Sequence, residues 1–102
     1  MAEIKILGLP YTIVTHRKRK ECPKNMRDAY GFLHYASRTI YLNPWAMDDE
    51  DDRIDATMLH EILHAIDYIT ADDDSRLAEG DIWRLAHGLE SLIREGNLKI
   101  EW

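Results

Sequence analysis

Residues 58–67 read MLHEILHAID. His60 and His64 stand four apart, with Glu61 beside the first. The pattern is informative only on a helix, where positions i and i+4 share a face. The flanking residues supply that helix. Ile54, Met58, Leu59, Ile62, Ile66 and Ile69 recur at three- and four-residue intervals, which predicts one apolar stripe over about residues 50–70. DDEDD at 48–52 places negative charge where the helix begins, at the positive end of its dipole, and ADDDS at 71–75 breaks it. At 3.6 residues per turn the two histidines fall away from the centre of the stripe, so the stripe can pack while they face elsewhere.

Both imidazoles can then turn to a single ion, and neutral imidazole ligates zinc at about 2.0–2.1 Å. Glu61 lies one step round the helix. It can reach a water beside the ion without taking a coordination place, the position of a general base. The competing reading is two solvated histidines beside a chance glutamate. The apolar Ile62 and Leu63 between the histidines, inside a strongly periodic helix, favour the metal site. Asp67, three residues after His64 and seven after His60, shares their face. It is a carboxylate suited to hold an imidazole in one tautomer, or an alternative ligand.

A catalytic zinc site takes three protein ligands and keeps one place open. The third must come from elsewhere, and a second helix over about residues 77–95 is the source. Its stripe is Ile82, Leu85, Ala86, Leu89, Leu92 and Ile93, and Gly96-Asn97 stops it. The ligand candidates are Glu79, Asp81, His87 and Glu90. Glu79 borders the stripe, three before Ile82 and seven before Ala86. Asp81 lies on the other flank, and His87 and Glu90 face further away. Acidic residues also suit a helix start for electrostatic reasons alone.

Ahead of these helices the pattern changes to strands. IKIL and YTIVTH are rich in β-branched and aromatic residues, and Gly8-Leu9-Pro10 supplies a turn between them. A polar stretch with Pro23 reads as a loop. GFLHYASRTIYLN at 31–43 reads as a hairpin turning at Ala36-Ser37-Arg38. LKIEW at the end is a last strand or an ordered tail. Strands first and helices after give one α+β domain over 1–102, with a small, mostly antiparallel sheet packed on the metal helix.

The chain has 102 residues, 45% apolar, and a formal net charge of −6. An acidic chain makes a poor general nucleic-acid binder, and HRKRK at 16–20 reads as a solvated loop. No run of 18 apolar residues and no signal peptide is present, so no membrane role is expected. Cys22 is the only cysteine, which favours a reducing, cytoplasmic setting and a plain loop thiol. Tyr35, Tyr41 and Tyr68 are possible oxyanion donors, with aromatic packing the default for each. His34 is a possible cleft residue, as is Tyr41. Trp83 borders the second stripe, as a cover for the cleft or a partner surface.

RTIYLNPW, MLHEILHAIDYI and RLAEGDIWRLAHGLESLI together resemble small phage and bacterial zincin-like proteins, related to the ImmA/IrrE-type metallopeptidases. The resemblance covers roughly residues 31–95. It implies a minimal zincin-like fold with zinc as cofactor, His60 and His64 as ligands and Glu61 as the catalytic glutamate. It implies a third ligand six residues before Leu85, which is Glu79, and so ranks Glu79 above Asp81. The implied activity is peptide-bond hydrolysis in a bacterial or phage-infected cell, on a protein or peptide substrate lying along the Thr39–Leu42 edge. Two alternatives remain: a metal-stabilised, non-catalytic protein that sequesters a host partner, and an acidic interaction domain without metal.

Overall fold

The computed structural model describes residues 2–27, 29–46 and 53–96. The acidic run at 48–52, the first residues of the expected metal helix, and the LKIEW tail with Trp102 lie outside the described residues. Four strands and two long helices follow in chain order: β1 (Ala2–Ile6), β2 (Leu9–Thr15), β3 (Gly31–His34), β4 (Thr39–Leu42), α1 (Arg53–Thr70) and α2 (Glu79–Arg94). The architecture is α+β, as the order of strands and helices predicts. No helix among the described residues is long and apolar enough to cross a membrane.

The strands form one sheet in the order β1-β2-β4-β3. β1 and β2 are antiparallel, as are β3 and β4, while β2 and β4 run parallel. Two hairpins are thus joined along a parallel seam that pairs Thr12 with Thr39 and Thr15 with Leu42. The first hairpin turns at Leu7-Gly8, one residue earlier than the glycine and proline suggest, with φ of 51° and 82°. Glycine tolerates that region and Leu7 does so with strain. Pro10 then sits inside β2, ahead of the stretch paired with β4, so its missing N–H removes no bond from the seam.

The seam also corrects the expected substrate edge. β4 pairs on both sides, so Thr39–Leu42 has no free edge. Among the described residues the free edges belong to β1 and β3.

Strand alternation puts Ile6, Tyr11, Ile13, Leu33, Ile40 and Leu42 on one face of the sheet. That face packs on Met58 and Ala65 of α1, with Ile54, Ile62, Ile66 and Ile69 partly buried around them. α2 packs chiefly against α1. A single helical neighbour covers a narrow stripe, so Ile82, Ala86 and Glu90 are buried, whereas Leu85 and Leu92 of the expected stripe stay 48% and 43% exposed.

Candidate metal centre

The site is built where α1 and α2 meet. Periodicity places His60 and His64 on one face of α1, turned toward α2. The segment before α2 is tied back to α1, because the Leu77 N–H donates to Asp67 Oδ1 at 3.3 Å. Helix α2 begins two residues later with Glu79, and its first turn carries Glu79 and Asp81 at the positive end of the dipole. Glu79 therefore enters the site as the first residue of its helix.

Three side chains converge. His60 Nε2 lies 2.7 Å from Glu79 Oε1, and His64 Nε2 lies 2.9 Å from Glu79 Oε2. The two Nε2 atoms are 3.1 Å apart. One ligand atom from each residue falls within a 4.8 Å group that could hold a metal ion. The donor chemistry fits: two imidazoles present the same nitrogen to one point, and a carboxylate faces both. His60 is nearly enclosed, whereas the Glu79 side chain is 61% exposed, so the site opens to solvent on the α2 side.

Burial depresses the His60 imidazole below its ordinary value, against the opposing pull of the Glu79 carboxylate. The neutral ring this favours is the form that ligates a metal. Glu61 points to the opposite wall, toward β3. Burial, and then the charge of Glu79, pushes its carboxyl up from 4.5 to about 7. The approach is close because Gly31 opens β3. A Cβ there would stand 2.5 Å from Thr57 Cγ2 and 3.1 Å from Glu61 Oε2. Only a residue without a side chain lets the strand pass so near the carboxylate.

The remaining expected residues are distributed as follows. Asp67 accepts the Leu77 N–H rather than an imidazole hydrogen bond, so it positions the segment that delivers Glu79. Asp81 lies 3.5 Å from Arg84 on the exposed side of α2, apart from the three convergent side chains. Glu90 is buried and pairs with Arg94. Tyr41 lies on the outer face of the sheet between His16 and Phe32, and His34 bonds Ser37 in the β3–β4 turn at 2.7 Å. Neither is gathered with Glu61 and the histidines. Tyr35 packs on Tyr68 with centroids 4.5 Å apart. Burial and then the nearby Glu61 raise its phenol above the ordinary value and keep it a hydrogen-bond donor beside the cleft. Cys22 is buried, its one thiol proton shared between the Pro23 carbonyl and Asn43 Oδ1, each 3.6 Å from Sγ, while Arg17–Lys20 are exposed.

Two features escape sequence reasoning. One is Gly31, whose only signal is a glycine at the start of a strand. The other is the partner of Trp83: spacing marks it as a cover for the cleft or a partner surface, but not that it packs on His60, with ring centroids 3.9 Å apart.

No curated protein and no solved structure matches the chain. A family profile described as the SprT-like family matches residues 12–89, which takes in the second half of β2, all of β3, β4 and α1, and about the first two thirds of α2. The match covers His60, Glu61, His64 and Glu79 and well over half of the chain. The chain therefore belongs to the SprT-like family, which is related to the zincin-like metallopeptidases.

Proposed function

We propose that the protein is a zinc-dependent peptidase in which His60, His64 and Glu79 hold the metal and Glu61 is the general base. The observation that carries this reading is the convergence of two imidazole nitrogens and a carboxylate from two helices, with a second carboxylate one residue from the first histidine. Zinc, when bound, supplies Lewis acidity to polarise a carbonyl and to acidify a water. Glu61 takes the proton of the attacking water and returns it to the leaving amine. Burial raises this carboxyl to about 7 in the metal-free protein, and a nearby zinc charge would draw it down again, leaving the carboxylate that a general base requires. Family membership supports a metallopeptidase-like chemistry. The narrower kinship with ImmA/IrrE-type enzymes rests on the motifs of the hairpin and the two helices.

The substrate is an extended peptide that adds to the outer edge of β3, Gly31–His34. This strand is free on one side among the described residues, and a Cβ on its first residue would meet the Glu61 carboxylate. N-methylating alternate backbone amides of a cleaved peptide should raise KM; an unchanged KM would count against edge binding. The buried, unpaired Cys22 accords with a reducing cytoplasm.

The test of the whole reading is metal content together with turnover. Protein purified without added metal should carry about one zinc per chain, and Glu61→Gln should keep the zinc while losing cleavage of an unfolded protein such as labelled casein. A Glu61→Gln variant that retained its biological effect would favour a metal-stabilised binding protein instead.

A further inference from the structure

Glu79, Trp83 and His87 stand at four-residue intervals on α2, so they form one row along the helix. The helix that brings Glu79 to the site therefore brings an indole one turn behind it. That indole lies against His60, with centroids 3.9 Å apart and planes tilted by 33°. His87 stacks on the same indole at 5.5 Å and 26°. On α1, His64 meets the His60 ring edge-on at 4.6 Å and 77°. The His60 imidazole is thus clamped between an indole and a second imidazole.

The hydrogen bonding of His60 is unusual for a ligating histidine. Its Nε2 faces Glu79, but its Nδ1 is buried without a hydrogen-bond partner among the described residues. Ligating histidines ordinarily have the second ring nitrogen held by a carboxylate, a carbonyl or water, which fixes the plane of the ring. Asp67, the carboxylate best placed by spacing for that task, is engaged with the Leu77 N–H. Ring packing is what restrains the imidazole, and stacked or edge-on aromatic pairs have the directional preference to do so.

We infer that Trp83 is the positioning residue of the metal centre: its stacked indole sets the plane of the His60 imidazole and so the direction of Nε2. The inference rests on reading His60, His64 and Glu79 as metal ligands. It makes metal affinity depend on a residue that donates nothing to the metal.

The experiment compares wild type, Trp83→Phe, Trp83→Leu and His60→Ala by competition for zinc against a chromophoric chelator, and by quenching of tryptophan emission with Co2+. Trp83→Phe retains a flat ring and should bind within about threefold of wild type. Trp83→Leu should bind about 10- to 100-fold more weakly, the usual cost of losing a ligand's orienting partner. Co2+ should quench a component of wild-type emission that is missing in Trp83→Phe, which still carries Trp45 and Trp102. The quenching arm tests whether Trp83 lies beside the metal, which the inference requires, and does so even where Trp83→Leu fails to fold. A Trp83→Leu protein that binds zinc as tightly as wild type would overturn the inference while leaving the ligand reading intact. Equal quenching of wild type and Trp83→Phe would overturn it as well. A wild type that binds neither ion, like His60→Ala, would overturn the ligand reading and the inference together.

Discussion

Two buried polar clusters sit on either side of the sheet's last strand, and they are satisfied to very different degrees. Around Asn43, hydrogen bonding is complete. Its Oδ1 accepts from His16 Nδ1 at 2.8 Å and from the Cys22 thiol, and its amide donates to the carbonyls of Met26 and Ala29. At the metal face, His60 Nδ1 and Thr57 Oγ1 are buried without a partner, and Glu61 is buried with its carboxyl pushed to about 7. A cluster whose donors and acceptors are all matched holds a loop in place, here the segment between β2 and β3. A cluster left partly unmatched stores unfavourable free energy that a ligand can relieve.

Substitutions should separate the two clusters. His60→Ala should have the largest effect, removing the metal from about one ion per chain to none, read by plasma mass spectrometry. Asn43→Ala should leave metal stoichiometry unchanged and cost about 3 kcal/mol in urea unfolding, since it strands an imidazole and two carbonyls. An Asn43 variant that lost its metal would break the distinction.

Glu61→Gln sharpens it through pH. The folded-state carboxyl titrates near 7, above its ordinary 4.5, because burial and then Glu79 disfavour the charge. The folded state therefore holds its proton more tightly than the unfolded one. Stability from this group is fully present below about pH 4.5 and is lost as pH rises through about 7. In metal-free protein, Glu61→Gln should match wild type near pH 4 and exceed it by up to roughly 3 kcal/mol at pH 8. A constant difference across that range would sink the assignment.

The smallest expected effect is at Gly31. Gly31→Ala should cost about 1–3 kcal/mol, because the new methyl meets Thr57 Cγ2 and the Glu61 carboxylate. Thr57→Ser deletes the first of those contacts, so the double variant should recover part of the loss in a thermal melt. No recovery would mean that Glu61, rather than Thr57, sets the constraint.

The metal face is largely legible in the sequence, because it is made of local relationships. His60, Glu61, His64 and the apolar stripe follow from helical period, whereas the border of a second stripe leaves Glu79 and Asp81 both open and only the family resemblance ranks Glu79 first. What the sequence hides is pairing between distant segments. Nothing in TIYL distinguishes a hairpin edge from a central strand, and the parallel seam that makes β4 central is set by packing of both hairpins on α1. The same limit applies to Gly31 and Trp83. Their roles depend on which backbone or ring they meet, and no spacing within their own elements reveals it. Leu85 and Leu92 show the reverse error, since periodicity marks them as core but α1 covers only part of that face.

The seam also bears on how the chain assembles. It joins strands whose paired residues lie 27 apart in the chain, so its closure waits on the ordering of a long intervening loop. The three prospective ligands come from one helical hairpin, whose contacts are local in the chain, although α1 also packs on residues of β1 and β2. A metal captured by that hairpin would tighten contacts close in sequence, so adding it during refolding is expected to order the helices ahead of the 27-residue seam, which time-resolved helix and sheet signals would read.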